Sequence, residues 1–297
     1  MSRVRQAVRE FPVTVLLGAR QVGKSTLAHA AVADRNDVVS YDLERPADAR
    51  ALEQAAATLE RHTGLVIVDE IQRQPALFTL LRPLADRKPR RTRFILLGSA
   101  SPALMKGVSE SLAGRASFIE VPGFSLDETG VKGWRNLWLR GGFPLSYLAN
   151  DEAASRRWRE AFVTAFLERD LPQLGISVPA VTLRRFWTMT AHYHGQIWNV
   201  SELARSLGSD YKTTSRYLDI LAGDFVLRIL RPWFENLGRR YGFEFKYSDA
   251  PDATKSMHVA MTDLKLEHLW VVYPGTKTYS IADDITAVPI TQLPVPP

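Results

Sequence analysis

The stretch LLGARQVGKST, residues 16–26, decides how the rest of the chain is read. An apolar run, VTVLL (13–17), leads into it and a helix-compatible run, KSTLAHAAVAD (24–34), leads out. Between them, Gly18-Ala19-Arg20-Gln21-Val22-Gly23-Lys24-Ser25 fits G-x-x-x-x-G-K-[ST] at every fixed position. Glycine lacks a Cβ, so the backbone can turn its N–H groups inward onto an anion. The N-terminus of the next helix adds more amides to the same place. In such a loop the main chain from Gly18 to Thr26 cradles phosphates, Lys24 reaches the β- and γ-phosphates, and Ser25 ligates Mg²⁺.

Working outward, further apolar runs appear at VVSYDL (38–43), LVIVD (65–69), FILLG (94–98) and SFIEV (117–121). Nearly continuous apolar runs are how strands covered on both faces read. Helix-compatible stretches separate them, at ADARALEQAAATLE (47–60) and QPALFTLLRPLADR (74–87). This alternation predicts the α/β class, a parallel sheet flanked by helices, over residues 1–127. Asp69 ends one apolar strand and Glu70 follows it. A carboxylate there holds the magnesium through water, and the adjacent Glu orients the attacking water. Ser99 lies just past the FILLG strand, where it either senses the γ-phosphate or caps the turn. Arg115, in SLAGR, either neutralises charge during phosphoryl transfer or makes a surface ion pair. In the first role it acts in cis or from a neighbouring subunit. Lys24, Glu70, Ser99 and Arg115 are thus the candidate catalytic set, and Ser25 and Asp69 the candidate metal site.

Beyond the sheet region, residues 128–179 read as a helical connector containing LRGGFPLSYL (139–148) and the amphipathic ASRRWREAFVTAFLERDL (154–171). Residues 180–238 read as a winged helix-turn-helix. Leu183, Phe186, Trp187 and Thr190 keep the 3.6 period, and Asn199 with Glu202 three residues on marks a helix start. Gly208 stops that helix, SDYKTTSRYLDILAG (209–223) supplies the next one, and VLRIL (226–230) reads as a closing strand. Lys212, Thr213, Thr214, Ser215 and Arg216 could meet double-stranded DNA through that helix. Winged helices also serve as protein contacts or spacers, and Asp210 and Asp219 on the same stretch suit that alternative.

Residues 239–297 open on YGFEFKYS (241–248), with Phe243 and Phe245 alternating with Glu244 and Lys246. A helix bearing Met257, Met261 and Leu264 and the strand LWVVY (269–273) follow. Glu244 and Lys246 have the spacing of half a metal-dependent nuclease site, but without a partner Asp to complete such a site an amphipathic strand is the better reading. The HYH at 192–194 lacks a third ligand and reads as structural.

The chain has 297 residues, 45% hydrophobic, enough to bury real cores. It contains no cysteine, which excludes disulfides and thiolate metal sites and suits a reducing compartment. No stretch of eighteen apolar residues occurs, and the apolar core near the N-terminus is too short for a signal peptide. A cytoplasmic protein without a membrane span is the expectation. The net charge of +6 favours phosphate-bearing partners.

Several motifs appear in order: GARQVGKSTLA, VDEIQRQPALF, LLGSASPAL, SLAGR, RGGFP, FLERDLPQLG, WFENLGRR and GFEFKYSDAP. Together they resemble the prokaryotic AAA-family ATPases that carry a C-terminal domain of unknown function. The resemblance covers most of the chain. It implies a P-loop NTPase core of AAA type, adenine nucleotide with Mg²⁺, a winged helix-turn-helix, and a restriction-endonuclease-like domain. AAA relatives often form rings, so a homo-oligomer is a further expectation. One departure stands out: Arg240 abuts Tyr241, where family members have a long segment. The C-terminal domain is therefore expected to be a partial remnant.

Overall fold

The computed structural model describes residues 1–89, 92–99, 108, 110–194, 198–230 and 240–293. Most of the WFENLGRR motif, the residues directly after Ser99 and the tail after 293 lie outside this set. The chain divides into two compact units. The first gathers residues 1–128, 136–162 and 218–228; the second gathers 129–135, 163–217 and 229–297.

The first unit is built on five parallel strands: β1 (Val13–Leu17), β2 (Val38–Asp42), β3 (Gly64–Asp69), β4 (Thr92–Gly98) and β5 (Ala116–Glu120). They run in the order β2-β3-β4-β1-β5. In register, Val15 lies between Leu96 and Phe118. Alternate side chains leave opposite faces of a strand, and here both faces are apolar. Val13, Val15, Val66, Val68, Phe94 and Leu96 join one core with Leu77, Phe78 and Leu81. Those last three lie on α5 (Ala76–Asp86). Leu16, Leu65, Ile67, Ile95, Leu97 and Ile119 join the other. That second core takes in Val4, Ala7 and Val8 of α1 (Ser2–Glu10) and Ala28 and Ala31 of α2 (Lys24–Ala31). The expected stretch 47–60 forms two short helices, α3 (Pro46–Ala51) and α4 (Ala55–Arg61), separated by a turn at 52–54.

Within the second unit, the helix Ala180–His192 buries Leu183, Phe186 and Thr190 as the period predicts. The helix Val200–Leu207 starts where Asn199 accepts a hydrogen bond from the Glu202 N–H, 3.3 Å. It ends at Gly208, in the left-handed region at φ +74°, with Ser209 N–H donating to the Ala204 carbonyl. A third helix runs Tyr211–Gly223; its residues up to Tyr217 are grouped with this unit and those from Leu218 on with the first.

The strand expected at 226–230 is absent, and the reason is local. Phe225, at φ +60°, terminates the third helix, and the N–H groups of Val226 and Leu227 both donate to the Leu221 carbonyl. Donors committed to a helix end cannot enter a strand ladder.

A separate four-stranded sheet follows, in the order β6-β7-β9-β8, from β6 (Tyr241–Phe245), β7 (His268–Tyr273), β8 (Tyr279–Ala282) and β9 (Ile285–Pro289). Met257, on the helix Lys255–Asp263, packs with Leu269, Val271 and Ile285 on one face.

Candidate functional site

Strand order fixes where a ligand can sit. The chain leaves β1, moves out to β2, returns through β3 and β4, and then crosses to β5 on the other side of β1. The carboxyl end of β1 is therefore the switch point of the sheet, where α/β proteins bind ligands. Gly18 occupies that position. A Cβ there would lie 2.4 Å from the Val121 carbonyl oxygen, because Val121 N–H already donates to the Leu17 carbonyl at 2.7 Å. Gln21 (φ +62°) and Gly23 (φ +96°) then turn the loop back into α2, whose first residue is Lys24. Ala19 and Val22 anchor the loop in the core beside α2. Ser25 and Thr26 remain exposed at the helix start. Pro144, from the RGGFP stretch, comes within 3.8 Å of where a Gly23 Cβ would project.

The Lys24 side chain is only 6% exposed. Its ammonium donates to the Gly18 and Ala19 carbonyls at 3.0 and 2.8 Å. Burial pushes its pKa below the ordinary lysine value, against the opposing pull of the Glu70 and Asp69 carboxylates. Ser25 Oγ donates to the Asp69 carboxylate across 44 positions of sequence. The other Asp69 oxygen accepts the Glu70 N–H at 2.9 Å. The structure thus brings together the two candidate metal ligands and the lysine.

Glu70 follows β3 directly in the left-handed region, at φ +53°. A non-glycine residue there is strained, and such strain concentrates at functional sites. Burial pushes its carboxyl above the ordinary range, with Lys24 opposing and Asp69 adding to the rise. Ser99 joins the same group through a residue that the spacing gave no reason to notice. Gln72 Nε2 donates to Glu70 Oε2 at 2.5 Å and approaches Ser99 Oγ at 3.4 Å. A second unforeseen contributor is Glu44, just past β2, which pairs with Arg20 of the loop and, at 3.3 Å, with Arg73. Gln72 lies inside the VDEIQRQPALF stretch and Glu44 in none, but the contacts of both depend on strands brought side by side.

Arg115 is not brought to this group. It immediately precedes β5, and its carbonyl accepts the Val13 N–H at the opposite edge of the sheet from Gly18. Its guanidinium forks onto Asp86, at 2.5 and 2.8 Å. Each partner holds the other's charged form: Asp86 falls below, and Arg115 rises above, its ordinary pKa. Arg115 thus lies before β5 as an ion pair with Asp86, one of the two readings its sequence position offered.

On the third helix of the second unit, Lys212 and Arg216 are exposed one turn apart. Thr214 is fully buried and bonded to Ser209, and Thr213 bonds Asp210, so neither hydroxyl is free for DNA. Glu244 and Lys246 pair with each other at 3.7 Å. Among the described residues, no group of three His, Asp or Glu side chains is placed to hold a metal. No helix among them is long and apolar enough to cross a membrane.

Comparison with known proteins agrees with this geometry. Residues 10–130 match the AAA domain family, and residues 131–247 match the domain of unknown function DUF8612. The chain is 36% identical to the uncharacterized proteins Rv2008c of Mycobacterium tuberculosis and Mb2031c of Mycobacterium bovis. These alignments take in 98% of this chain and 83% of each relative. They extend over 367 residues against the 297 of this chain, so the relatives carry internal residues with no counterpart here. The fold is similar to that of the Walker-type ATPase PABY2304 of Pyrococcus abyssi, with a TM-score of 0.53 and 18% identity. That match covers 75% of this chain and 87% of that one. With a loop of this kind at the switch point of a β2-β3-β4-β1-β5 sheet and an AAA domain over residues 10–130, the chain belongs to the family of these mycobacterial proteins.

Proposed function

We propose that the protein binds ATP with Mg²⁺ and hydrolyses it. The observation that carries this reading is the contact between Ser25 and Asp69 beside a buried Lys24. Two oxygens from β3 and α2 meet next to a cation, at the mouth of a loop that glycines keep open. Such hard oxygen donors suit Mg²⁺, and Ser25 and Asp69 would hold it. When bound, the ion supplies charge neutralisation on the phosphate oxygens.

The remaining roles fall to the chain itself. The amides from Gly18 to Thr26, together with the N-terminus of α2, bind and align the phosphates. Lys24 exchanges its bonds to the Gly18 and Ala19 carbonyls for bonds to phosphate oxygens. Its low exposure strengthens that attraction, since little water screens it. Glu70 orients the attacking water and accepts its proton; a carboxyl raised by burial is a better base than an ordinary one. Ser99, at the end of β4, reads the γ-phosphate. Arg115 acts in trans, at the site of a neighbouring subunit in a homo-oligomer. A winged-helix-like module moved by nucleotide state, with Lys212 and Arg216 facing DNA phosphates, is a second reading. It is favoured by their exposure on one helix face.

Phosphate release should require Mg²⁺. It should vanish in Lys24→Ala along with ATP binding, and vanish in Glu70→Gln with binding retained. Equal turnover in Glu70→Gln and wild type would remove the role given to Glu70. Binding of duplex DNA that steepens at low salt and weakens in Lys212→Ala/Arg216→Ala tests the second reading; no binding at low salt rejects it.

A further inference from the structure

Resting on the ATPase reading above, we infer that Gln72 is a positioning residue that ties the water-orienting Glu70 to the γ-phosphate sensor Ser99. The link is a single side-chain amide. Its nitrogen lies 2.5 Å from Glu70 Oε2 and 3.4 Å from Ser99 Oγ. An amide nitrogen carries two donors, enough to serve both partners.

The orientation of that amide is chosen by Glu70. Turning the amide over would set its oxygen against a carboxylate, oxygen to oxygen. The observed orientation avoids this although it leaves Gln72 Oε1 buried with no hydrogen-bond donor among the described residues. A buried acceptor without a donor is costly, so the contact with Glu70 outweighs that cost.

Local backbone geometry makes the connection possible. Glu70 takes the left-handed conformation and the next three residues, Ile71–Arg73, close a 3₁₀ turn, with Arg73 N–H donating to the Glu70 carbonyl at 2.9 Å. Ile71 is fully buried and pins the turn to the core. The turn brings Gln72 back over Glu70, while the pairing of β3 with β4 brings Ser99 to the same edge. A change in what Ser99 bonds is thus transmitted through one amide to the carboxylate two residues upstream of it. Gln72 touches neither phosphate nor metal ligand in this scheme; it acts through Glu70.

The test is steady-state turnover and calorimetric ATP binding on the full chain, in wild type, Gln72→Met, Gln72→Glu, Ser99→Ala and the Gln72→Met/Ser99→Ala double variant. Methionine keeps the length and loses the donors; glutamate keeps the shape and sets a like charge against Glu70. We expect ATP affinity and KM within about twofold of wild type and kcat lowered by about tenfold or more in Gln72→Met, since a misplaced catalytic group costs rate rather than binding. Gln72→Glu should be slower still. Ser99→Ala should lose less in the Gln72→Met background than in wild type, because both act through one connection. Wild-type kcat in either Gln72 variant, a loss that appears in KM and affinity, or strictly additive losses with Ser99→Ala would each overturn the role of Gln72. If Gln72→Met does not fold, Gln72→Glu and its pairing with Ser99→Ala give the same reading. Binding without turnover in wild type would instead sink the ATPase reading beneath it, so the two failures are told apart.

Discussion

Gly18→Ala should damage the sheet as well as the loop. The added methyl would sit 2.4 Å from the Val121 carbonyl oxygen and 3.1 Å from a Val22 methyl. An ordinary C···O contact is about 3.3 Å or more, so the carbonyl must retreat by roughly 1 Å. It is backbone, and cannot rotate aside as a side chain would. Val121 is also fixed by its 2.7 Å N–H bond to the Leu17 carbonyl, directly before the substituted residue. Relief therefore means separating the carboxyl ends of β1 and β5. Overpacking of this kind costs about 1–3 kcal/mol. For a unit of this size the loss lowers Tm by about 3–10 °C. The contrast is Gly23→Ala, where nothing lies closer than 3.8 Å but the backbone sits at φ +96°. Its cost is a dihedral strain of about 1–2 kcal/mol, which the loop can shed by changing shape without moving a strand. Differential scanning calorimetry with and without ATP-Mg²⁺ separates the two. Gly18→Ala should melt lower in both conditions; Gly23→Ala should lose mainly the increment that ATP adds. A Gly18→Ala protein melting within 1 °C of wild type would refute the argument that β5 occupies the space of that Cβ.

Two further outcomes follow from burial. Burial raises the folded pKa of Glu70 above the ordinary glutamate value of 4.5, so the carboxylate destabilises the fold at neutral pH and this penalty fades as pH falls through the folded value. Glu70→Gln should therefore melt higher than wild type at pH 7 without nucleotide, with the gap closing as pH approaches 4.5; a gap that is independent of pH rejects the assignment. Phe186, with no exposed surface, packs against Trp198 and Tyr217 at centroid distances of 6.2 and 5.8 Å. Phe186→Ala should cost about 3–5 kcal/mol in urea denaturation followed by tryptophan fluorescence, and a loss under 1 kcal/mol would mean that this core is not closed.

The apolar runs at 13–17, 65–69 and 94–98 were legible as buried strands because a strand covered on both faces has no polar face to show. The phosphate loop was legible because its chemistry is carried by consecutive residues. Asn199 and Gly208 were legible for the same reason: a helix cap is a local bond. Where the outcome depended on competition, the sequence misled. VLRIL has strand-like composition, yet the end of the preceding helix takes its first two N–H groups. Thr214 looked available to DNA until its burial against Ser209 was seen. Arg115 could be placed beside β5 by sequence, but only the parallel register showed that it lies at the far edge from Lys24.

What the sequence by itself determined is therefore the local part: which runs form strands, where the anion loop turns, and which lysine, serine and carboxylates can serve it. What only the tertiary structure decided is the strand order and everything that depends on it. Ser25 meets Asp69, Glu44 spans Arg20 and Arg73, and Gln72 joins Glu70 to Ser99 because β3, β4 and β1 end at one edge. The physical reason is range. Capping, periodicity and turn chemistry act within a few residues, whereas these contacts join strands by burying apolar faces, a non-directional force that leaves no pairwise mark in the sequence.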